Sequence, residues 1–235
     1  MYNKSLSLVL TTYNEEENVT NTLKEINKFK DIDLEVIIVD DNSTDNTLNK
    51  ILELKLDFVK VISRKKTKGL ASAIIRGLFE STKDNICWID VDMTNQINKL
   101  QIMLQNIESN DIVILSRYVK EGGDKRNLIR RLSSRLINIY SRLILGFAIK
   151  DYTGGIFLIK REVLNCVLPI PYGHGEYFPE FLYNLKRKNC KIVELPFVQE
   201  DRKYGDSKSY INIFNFLYTG YKYAIRILLA RLNRE

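Results

Sequence analysis

The chain has few of the residues on which many active sites depend. Its 235 residues include three cysteines and a single histidine, His174. Cys87, Cys166 and Cys190 lack the spacing of a metal site, so neither a disulfide framework nor a zinc site is expected, and a reducing compartment fits. Because the one histidine has no evident partner, a Ser-His-Asp or Cys-His nucleophilic site is not expected either.

Long apolar runs are also scarce. The apolar stretch at residues 6–10 is too short for a signal peptide and leads into three glutamates. Residues 210–230 are long enough to cross a membrane but contain Lys222 and Arg226, and each charge at the centre of a spanning helix costs about 2.5–3.5 kcal/mol. A helix with one basic stripe prefers the membrane interface. We therefore expect a cytoplasmic protein, peripheral on the cytoplasmic face of a membrane.

The charge is unevenly distributed along the chain. The formal net charge is +7, but residues 1–116 carry 14 Lys and Arg against 18 Asp and Glu, and residues 117–235 carry 22 against 11. The acidic half fits a cation or a hydroxyl-rich ligand, and the basic half fits an anionic partner. No nucleic-acid partner is expected, because the basic residues lie on amphipathic segments and no recognition motif is present.

Two periods alternate in the first 116 residues. Short apolar runs typical of buried strands are separated by segments with helical spacing, and the runs lie at about 6–10, 36–39, 58–62, 86–89 and 112–115. This alternation predicts an α/β fold with a mainly parallel sheet flanked by helices. In such sheets, ligands bind at the carboxyl ends of the strands.

The rhythm changes after residue 116. The spacing predicts helices over 131–149, 177–187 and 209–234, with strands over 153–159 and 191–198. We predict one domain over 1–208, with a first half at about 1–116 and a second half at about 117–208. Residues 209–235 then form a basic amphipathic helix. For this helix and for 131–149, the apolar face either packs on the core or contacts a membrane.

Carboxylates follow three of the predicted strands. Asp90 and Asp92 lie at the end of the strand at 86–89, and because residues i and i+2 of a strand point the same way, they can share one Mg²⁺ or Mn²⁺ ion. Asp40 and Asp41 follow another strand and can accept hydrogen bonds from a base or ribose, although helix capping nearby by Ser43 or Thr44 is the alternative. The basic loop at 65–69 suits an anion but lacks the order of a Walker A loop.

Motifs in a defined order carry a resemblance. The first set is Thr12-Tyr13-Asn14-Glu15, Asp40-Asp41-Asn42-Ser43, Lys68-Gly69-Leu70 and Asp90-Val91-Asp92. The later set is Ser116-Arg117-Tyr118, Asp151-Tyr152-Thr153-Gly154-Gly155 and the segment 202–208. In this order they resemble the family 2 glycosyltransferases of GT-A fold, and the later set resembles the branch of dolichol-phosphate mannose synthases and other polyprenyl-phosphate glycosyltransferases. The resemblance covers about residues 5–210.

The resemblance implies a role for each matching position. The implied nucleotide-sugar site is Thr11, Tyr13, Glu15, Val39, Asp41, Lys68, Asp90 and Val91. The implied ligands for Mg²⁺ or Mn²⁺ are Asp90, Asp92 and Thr94. The implied acceptor-phosphate site is Arg117, Arg131, Arg202 and Lys208, and the residues implied in catalysis are Asp92, Arg117 and Arg202. Asp151 and Glu180 are weaker candidates, with Glu180 expected to position sugar hydroxyls.

Three positions depart from the family pattern. Thr11 stands where a proline is usual, Val91 stands where an alanine is usual and is expected to crowd the sugar, and the segment after Asp92 offers Thr94 as a weak metal ligand. These departures affect the identity of the donor more than the class of reaction.

The resemblance implies an inverting, metal-dependent transfer of a hexose. The donor would be a nucleotide sugar of the GDP-mannose or UDP-glucose type, and the acceptor a polyprenyl or dolichyl phosphate at a membrane surface. A separate membrane-anchoring subunit is a candidate partner. Two alternatives stay open: a family 2 transferase acting on a polysaccharide or protein acceptor, against which the absence of a Gln-x-x-Arg-Trp motif argues, and a non-catalytic subunit that binds a nucleotide sugar or a lipid phosphate.

Overall fold

The computed structural model describes residues 5–202 and 213–233, with side chains described over 5–202 and 218–233. The strands are β1 (Ser5–Thr12), β2 (Asp33–Asp40), β3 (Val59–Ser63), β4 (Asn85–Trp88), β5 (Ile112–Ser116), β6 (Gly123–Asp124), β7 (Phe157–Lys160), β8 (Ile192–Pro196) and β9 (Val198–Gln199). The helices are α1 (Val19–Ile26), α2 (Thr47–Glu53), α3 (Leu70–Glu80), α4 (Leu100–Ile107), α5 (Leu128–Leu145), α6 (Arg161–Leu164), α7 (Tyr177–Arg187) and α8 (Ile213–Leu232). A 3-10 turn (Thr94–Lys99) precedes α4.

Seven strands form the main sheet, in the order β3-β2-β1-β4-β7-β5-β8. All neighbours are parallel except β7, which is antiparallel to both β4 and β5. The predicted mainly parallel sheet is therefore confirmed. Because β7 lies between β4 and β5, the two halves of the chain share one continuous sheet. Strands β6 and β9 form a separate short pair.

The apolar stripes of the helices cover both faces of this sheet. Val19, Leu23 and Ile26 of α1 pack with α4 in one buried cluster, whereas Ile74 and Leu78 of α3 pack with α7 in another. Each fully buried Leu or Ile contributes about 1.5–3 kcal/mol of transfer free energy. The helical periods read from the sequence therefore place the core on both sides of the sheet.

Two strands differ from the prediction. The strand expected over 153–159 is β7, which starts at Phe157. The segment 191–198 is divided into β8, which ends at Pro196, and β9. Proline has no N–H to donate to a ladder, so a strand commonly ends or turns there.

Helices α5 and α8 expose many of their apolar side chains. In α5 the polar residues Asn138 and Ser141 are buried, and the exposed apolar residues are Leu128, Ile129, Leu132, Leu136, Ile139 and Leu143. In α8 the exposed apolar side chains are Tyr218, Tyr221, Ile225, Leu228, Leu229 and Leu232. These exposed side chains do not pack on the core, whereas Leu145 of α5 and Ile227 and Ala230 of α8 are buried in it. Among the residues whose side chains are described, each helix therefore packs only part of its apolar surface on the core. Among the described residues, no helix combines the length and the hydropathy that crossing a membrane requires.

Candidate active site

The carboxyl ends of β2, β1 and β4 are neighbours in the sheet. Asp41 follows β2, Glu15 lies in the loop after β1, and Asp90 and Asp92 follow β4. The predicted clustering of carboxylates at one edge is thus observed. The strand geometry expected for Asp90 and Asp92 is not observed, because β4 ends at Trp88 and residues 90–92 are not a strand.

The loops after β1 and β2 are joined by side-chain hydrogen bonds. Asn14 has a φ of 53°, which asparagine tolerates. Its side-chain oxygen accepts a hydrogen bond from the backbone amide of Thr44 at 2.8 Å, and its backbone amide donates to Ser43 Oγ at 2.9 Å. The alternative for this segment, helix capping by Ser43 or Thr44, is not observed, since Asn46 occupies the N-cap position of α2. These residues instead shape the site's edge.

Arg202 forms ion pairs with three of the carboxylates at this edge. Its guanidinium pairs with Asp92, donates to Glu15 Oε1 at 3.2 Å and lies 3.9 Å from Asp90 Oδ2. Burial opposes the charge of Arg202, but the neighbouring Asp92, Asp90 and Glu15 outweigh it and raise the Arg202 pKa. The arginine therefore balances part of the negative charge at this edge.

Asp92 has the properties of a cation ligand. Its Oδ1 atom is buried and has no hydrogen-bond partner among the described residues. Burial, followed by the charge of Asp90, raises the Asp92 pKa to about 7, and Arg202 opposes this rise. No cluster of three or more His, Cys, Asp or Glu suited to a metal occurs in the described part of the chain. The pair fits an ion that completes its shell with water and substrate phosphate oxygens.

Thr94 and Val91 lie on the same loop with different surroundings. Thr94 lines the cavity beside Asp92, and its hydroxyl is 2.6 Å from that of Thr22. The Val91 side chain is fully buried in the core beneath α1, so the expectation that it crowds a bound sugar is wrong. Its carbonyl oxygen accepts a hydrogen bond from Thr22 at 2.6 Å.

The predicted nucleoside residues lie at the ends of β1 and β2. Tyr13 is 38% exposed, and the Lys68 ammonium lies 4.7 Å from the centre of its ring. Thr11 and Val39 are buried in the sheet and pair with each other in register, so they contribute backbone rather than accessible side chain.

Asp41 is held by a residue that the sequence reasoning missed. Arg64 Nε donates to Asp41 Oδ1 at 2.7 Å, and the Gly69 amide donates to Oδ2 at 2.8 Å. Arg64 follows β3, so the rule that placed Asp41 at a strand end would have found it too.

Arg117 lies in a buried network that uses all of its donors. Its Nε and Nη2 donate to Asp151 at 2.8 Å each, and the remaining acceptors are Ser134, Gln199 and Thr153. An arginine has five N–H donors, and each has a protein acceptor here. A phosphate could contact Arg117 only by exchanging with one of these groups.

A cavity of about 750 Å³ extends from the aspartate pair towards α5 and α8. Its basic lining residues are Arg117, Arg126, Arg130 and Arg202, and α8 contributes Thr219, Gly220 and Tyr223. Arg126 and Arg130 were not predicted. Arg131, which was predicted, is exposed on α5 and does not line this cavity. Lys208 lies outside the described residues.

The candidate Glu180 has other surroundings than expected. Glu180 is buried and forms an ion pair with Arg226 of α8, so it ties two helices together and does not line the cavity.

Comparison with known proteins agrees with this architecture. The model of the family "Glycosyl transferase family 2" matches residues 7–168. The chain is 37% identical over 210 residues to a dolichol-phosphate mannosyltransferase of Pyrococcus furiosus, covering 86% of this chain and 58% of that protein. It is 30% identical over 239 residues to a polyprenol monophosphomannose synthase of Mycolicibacterium smegmatis, covering 97% and 88%. The chain thus spans less than two thirds of the Pyrococcus relative.

Solved structures share the fold at low sequence identity. The glucosyl-3-phosphoglycerate synthase of Mycobacterium tuberculosis, in complex with Mn²⁺, uridine diphosphate and phosphoglyceric acid, superposes with a TM-score of 0.74 at 18% identity, covering 98% of this chain and 79% of that one. This likeness confirms the predicted GT-A architecture. The family model matches more than half of the chain, and this match leads to one conclusion: the chain belongs to glycosyl transferase family 2.

Proposed function

We propose that the chain transfers a hexose from a nucleotide sugar of the GDP-mannose or UDP-glucose type to a polyprenyl or dolichyl phosphate at a membrane surface. The observation that carries the proposal is one continuous cavity. It begins at Asp90 and Asp92 and continues past Arg126 and Arg130 to α8. A carboxylate pair suits a cation with a diphosphate, and arginines suit a second phosphate.

Mg²⁺ or Mn²⁺ would be held by Asp90 and Asp92, with Thr94 beside them. The unpartnered, buried Oδ1 of Asp92 supports this assignment, and so does the presence of Mn²⁺ with uridine diphosphate in the mycobacterial synthase. When bound, the ion would neutralise charge on the departing diphosphate. Tyr13 and Asp41, which follow β1 and β2, would hold the nucleoside together with Lys68, which lies between β3 and α3.

The acceptor needs no general base. A phosphate monoester carries about −1.5 to −2 charges at neutral pH, so an acceptor oxygen can attack the anomeric carbon directly while the bond to the donor diphosphate breaks. A single displacement inverts the configuration. Arg202 and Arg130 would bind the acceptor phosphate, and Arg117 would position the cavity wall through Asp151. This chemistry suits a chain that has a single histidine.

The exposed apolar faces of α5 and α8 would rest on the membrane. Arg131 and Arg135 are exposed beside the leucines of α5 and would meet anionic headgroups. Contact from the cytoplasmic side, and a separate anchoring subunit, belong to the same proposal. So does the division into a donor half at 1–116, an acceptor half at 117–208 and a terminal helix at 209–235.

A transfer assay separates the candidate functions. The purified chain is incubated with Mn²⁺, vesicles that contain undecaprenyl phosphate, and radiolabelled GDP-mannose or UDP-glucose. Label in a chloroform-extractable product that mild acid releases is the expected result. Label in a polysaccharide or protein fraction of added membranes would support the other acceptors. Tight donor binding by calorimetry without any transfer would support a non-catalytic subunit.

A further inference from the structure

Thr22 is a polar residue in the middle of an apolar stripe. It lies on the buried face of α1, among Val19, Leu23 and Ile26, and is fully buried. A hydroxyl in such a position costs free energy unless it is hydrogen-bonded. Its partners are two points on one loop, the Val91 carbonyl oxygen and the Thr94 hydroxyl, at 2.6 Å each. This loop carries Asp90 and Asp92.

The number of protons fixes the direction of both hydrogen bonds. A threonine hydroxyl has one proton to donate and two lone pairs to accept with. The Val91 carbonyl can only accept, so the Thr22 proton is used there. In the contact between the two hydroxyls, Thr22 must therefore accept and Thr94 must donate. The Thr94 proton points back towards α1, and its oxygen lone pairs are left for the cavity that Thr94 lines.

We propose that Thr22 is a positioning residue that holds the Thr94 hydroxyl with its lone pairs available to a divalent cation or to a water bound by that cation. The inference rests on the metal site of the proposed function and adds a residue that does not line the cavity. A group that orients a metal ligand through a hydrogen bond typically changes metal affinity by about 10–100-fold when it is removed.

The test measures Mn²⁺ binding rather than turnover. The full chain is titrated with Mn²⁺ in the presence of GDP and, in parallel, of UDP, and free Mn²⁺ is followed by electron paramagnetic resonance. The variants are Thr22→Val, which removes the hydroxyl at nearly constant volume, Thr22→Ser, which keeps it, and Thr94→Val. We expect Thr22→Val to weaken Mn²⁺ binding by about tenfold or more, and Thr22→Ser to restore binding to near that of the unmodified chain.

The double variant separates a positioning role from a structural one. If Thr22 acts through Thr94, the change Thr22→Val has little further effect once Thr94→Val is present. An equal loss in both backgrounds, or unchanged Mn²⁺ binding by Thr22→Val, would overturn the inference. Should Thr22→Val fail to fold, normal Mn²⁺ binding by Thr94→Val would overturn it instead. Absence of Mn²⁺ binding by the unmodified chain would overturn the metal site itself, which distinguishes the two failures.

Discussion

At the scale of single residues, the buried pair of Arg117 and Asp151 bears directly on stability. Both side chains are buried, and they share two hydrogen bonds of 2.8 Å between the side chains. A buried ion pair is of uncertain net value, but removing one partner leaves an uncompensated charge in the interior. Asp124, 3.7 Å from Arg117, compensates only in part.

Replacing Asp151 by Asn should therefore destabilise the protein. We expect a loss of about 3–5 kcal/mol in the free energy of unfolding at pH 7, because the Arg117 charge stays buried without its main partner. Chemical denaturation followed by circular dichroism measures it. The matched control is Glu25→Gln, which breaks the exposed pair with Lys28 and should cost less than about 1 kcal/mol. Equal effects of the two changes would contradict this reading.

The same pair predicts how stability depends on pH. Burial alone would raise the Asp151 pKa, but the charge and hydrogen bonds of Arg117 prevail and lower it below its ordinary value of 3.8. The folded state thus binds fewer protons than the unfolded state in acid. The contribution of Asp151 is complete above about pH 4 and is lost as the pH falls through the folded pKa. The stability difference between the unmodified chain and Asp151→Asn should shrink accordingly, as measured by denaturation between pH 2 and 7.

At the scale of elements, the periodic segments were predictable and the pairing of strands was not. The runs that became β1 to β5 contain strong local signals, and α7 was predicted with its observed bounds. The antiparallel position of β7 between β4 and β5 depends on contacts between residues distant in the chain, which no local period records. The role of Val91 was missed for the same reason, because the direction of its side chain depends on where β4 ends.

Some residues of the site could likewise be predicted from the sequence, and others could not. Asp41, Asp90 and Asp92 follow apolar runs, so their gathering at one edge could be read from the sequence. Arg130 and Arg131 are neighbours on one helix, and only the orientation of α5 in the fold decides which of them lines the cavity. Thr22 left a weak signal as a polar residue in an apolar stripe, and its meaning required the position of the loop at 91–94.

The outward leucines of α5 yield a prediction about membranes. Leu132 and Leu143 are 50% and 63% exposed, so Leu132→Glu with Leu143→Glu should leave the free energy of unfolding nearly unchanged. Binding to vesicles should fall by about tenfold or more, because the face loses two apolar side chains and gains two negative charges. Co-sedimentation with vesicles of phosphatidylglycerol and phosphatidylcholine measures this.

Leu52 provides the matched control for that experiment. It is 66% exposed on α2, in the acidic half of the chain, and Leu52→Glu should bind the same vesicles as the unmodified chain does. If the double change on α5 left vesicle binding intact, the claim that the apolar face of α5 contacts the membrane would be wrong.

At the scale of the whole molecule, the uneven charge predicts sensitivity to salt. The 22 Lys and Arg against 11 Asp and Glu in residues 117–235 should draw the α5 and α8 face to anionic lipid, at about 1 kcal/mol for each basic residue near the surface. Raising NaCl from 50 to 500 mM shortens the screening length severalfold. Binding to anionic vesicles should weaken by about tenfold, and the weaker binding to neutral vesicles should change little. Equal salt dependence on both lipids would contradict this reading.

The most direct test of the central claim is sugar transfer by Asp92→Asn, with Asp33→Asn as the matched control on an exposed aspartate. Transfer of label from nucleotide sugar to undecaprenyl phosphate is measured with Mn²⁺, beside the thermal midpoint of each variant. We expect Asp92→Asn to stay folded and to lose about 100-fold or more in rate, while Asp33→Asn transfers normally. Undiminished transfer by folded Asp92→Asn would contradict the claim that this aspartate holds the cation of the reaction.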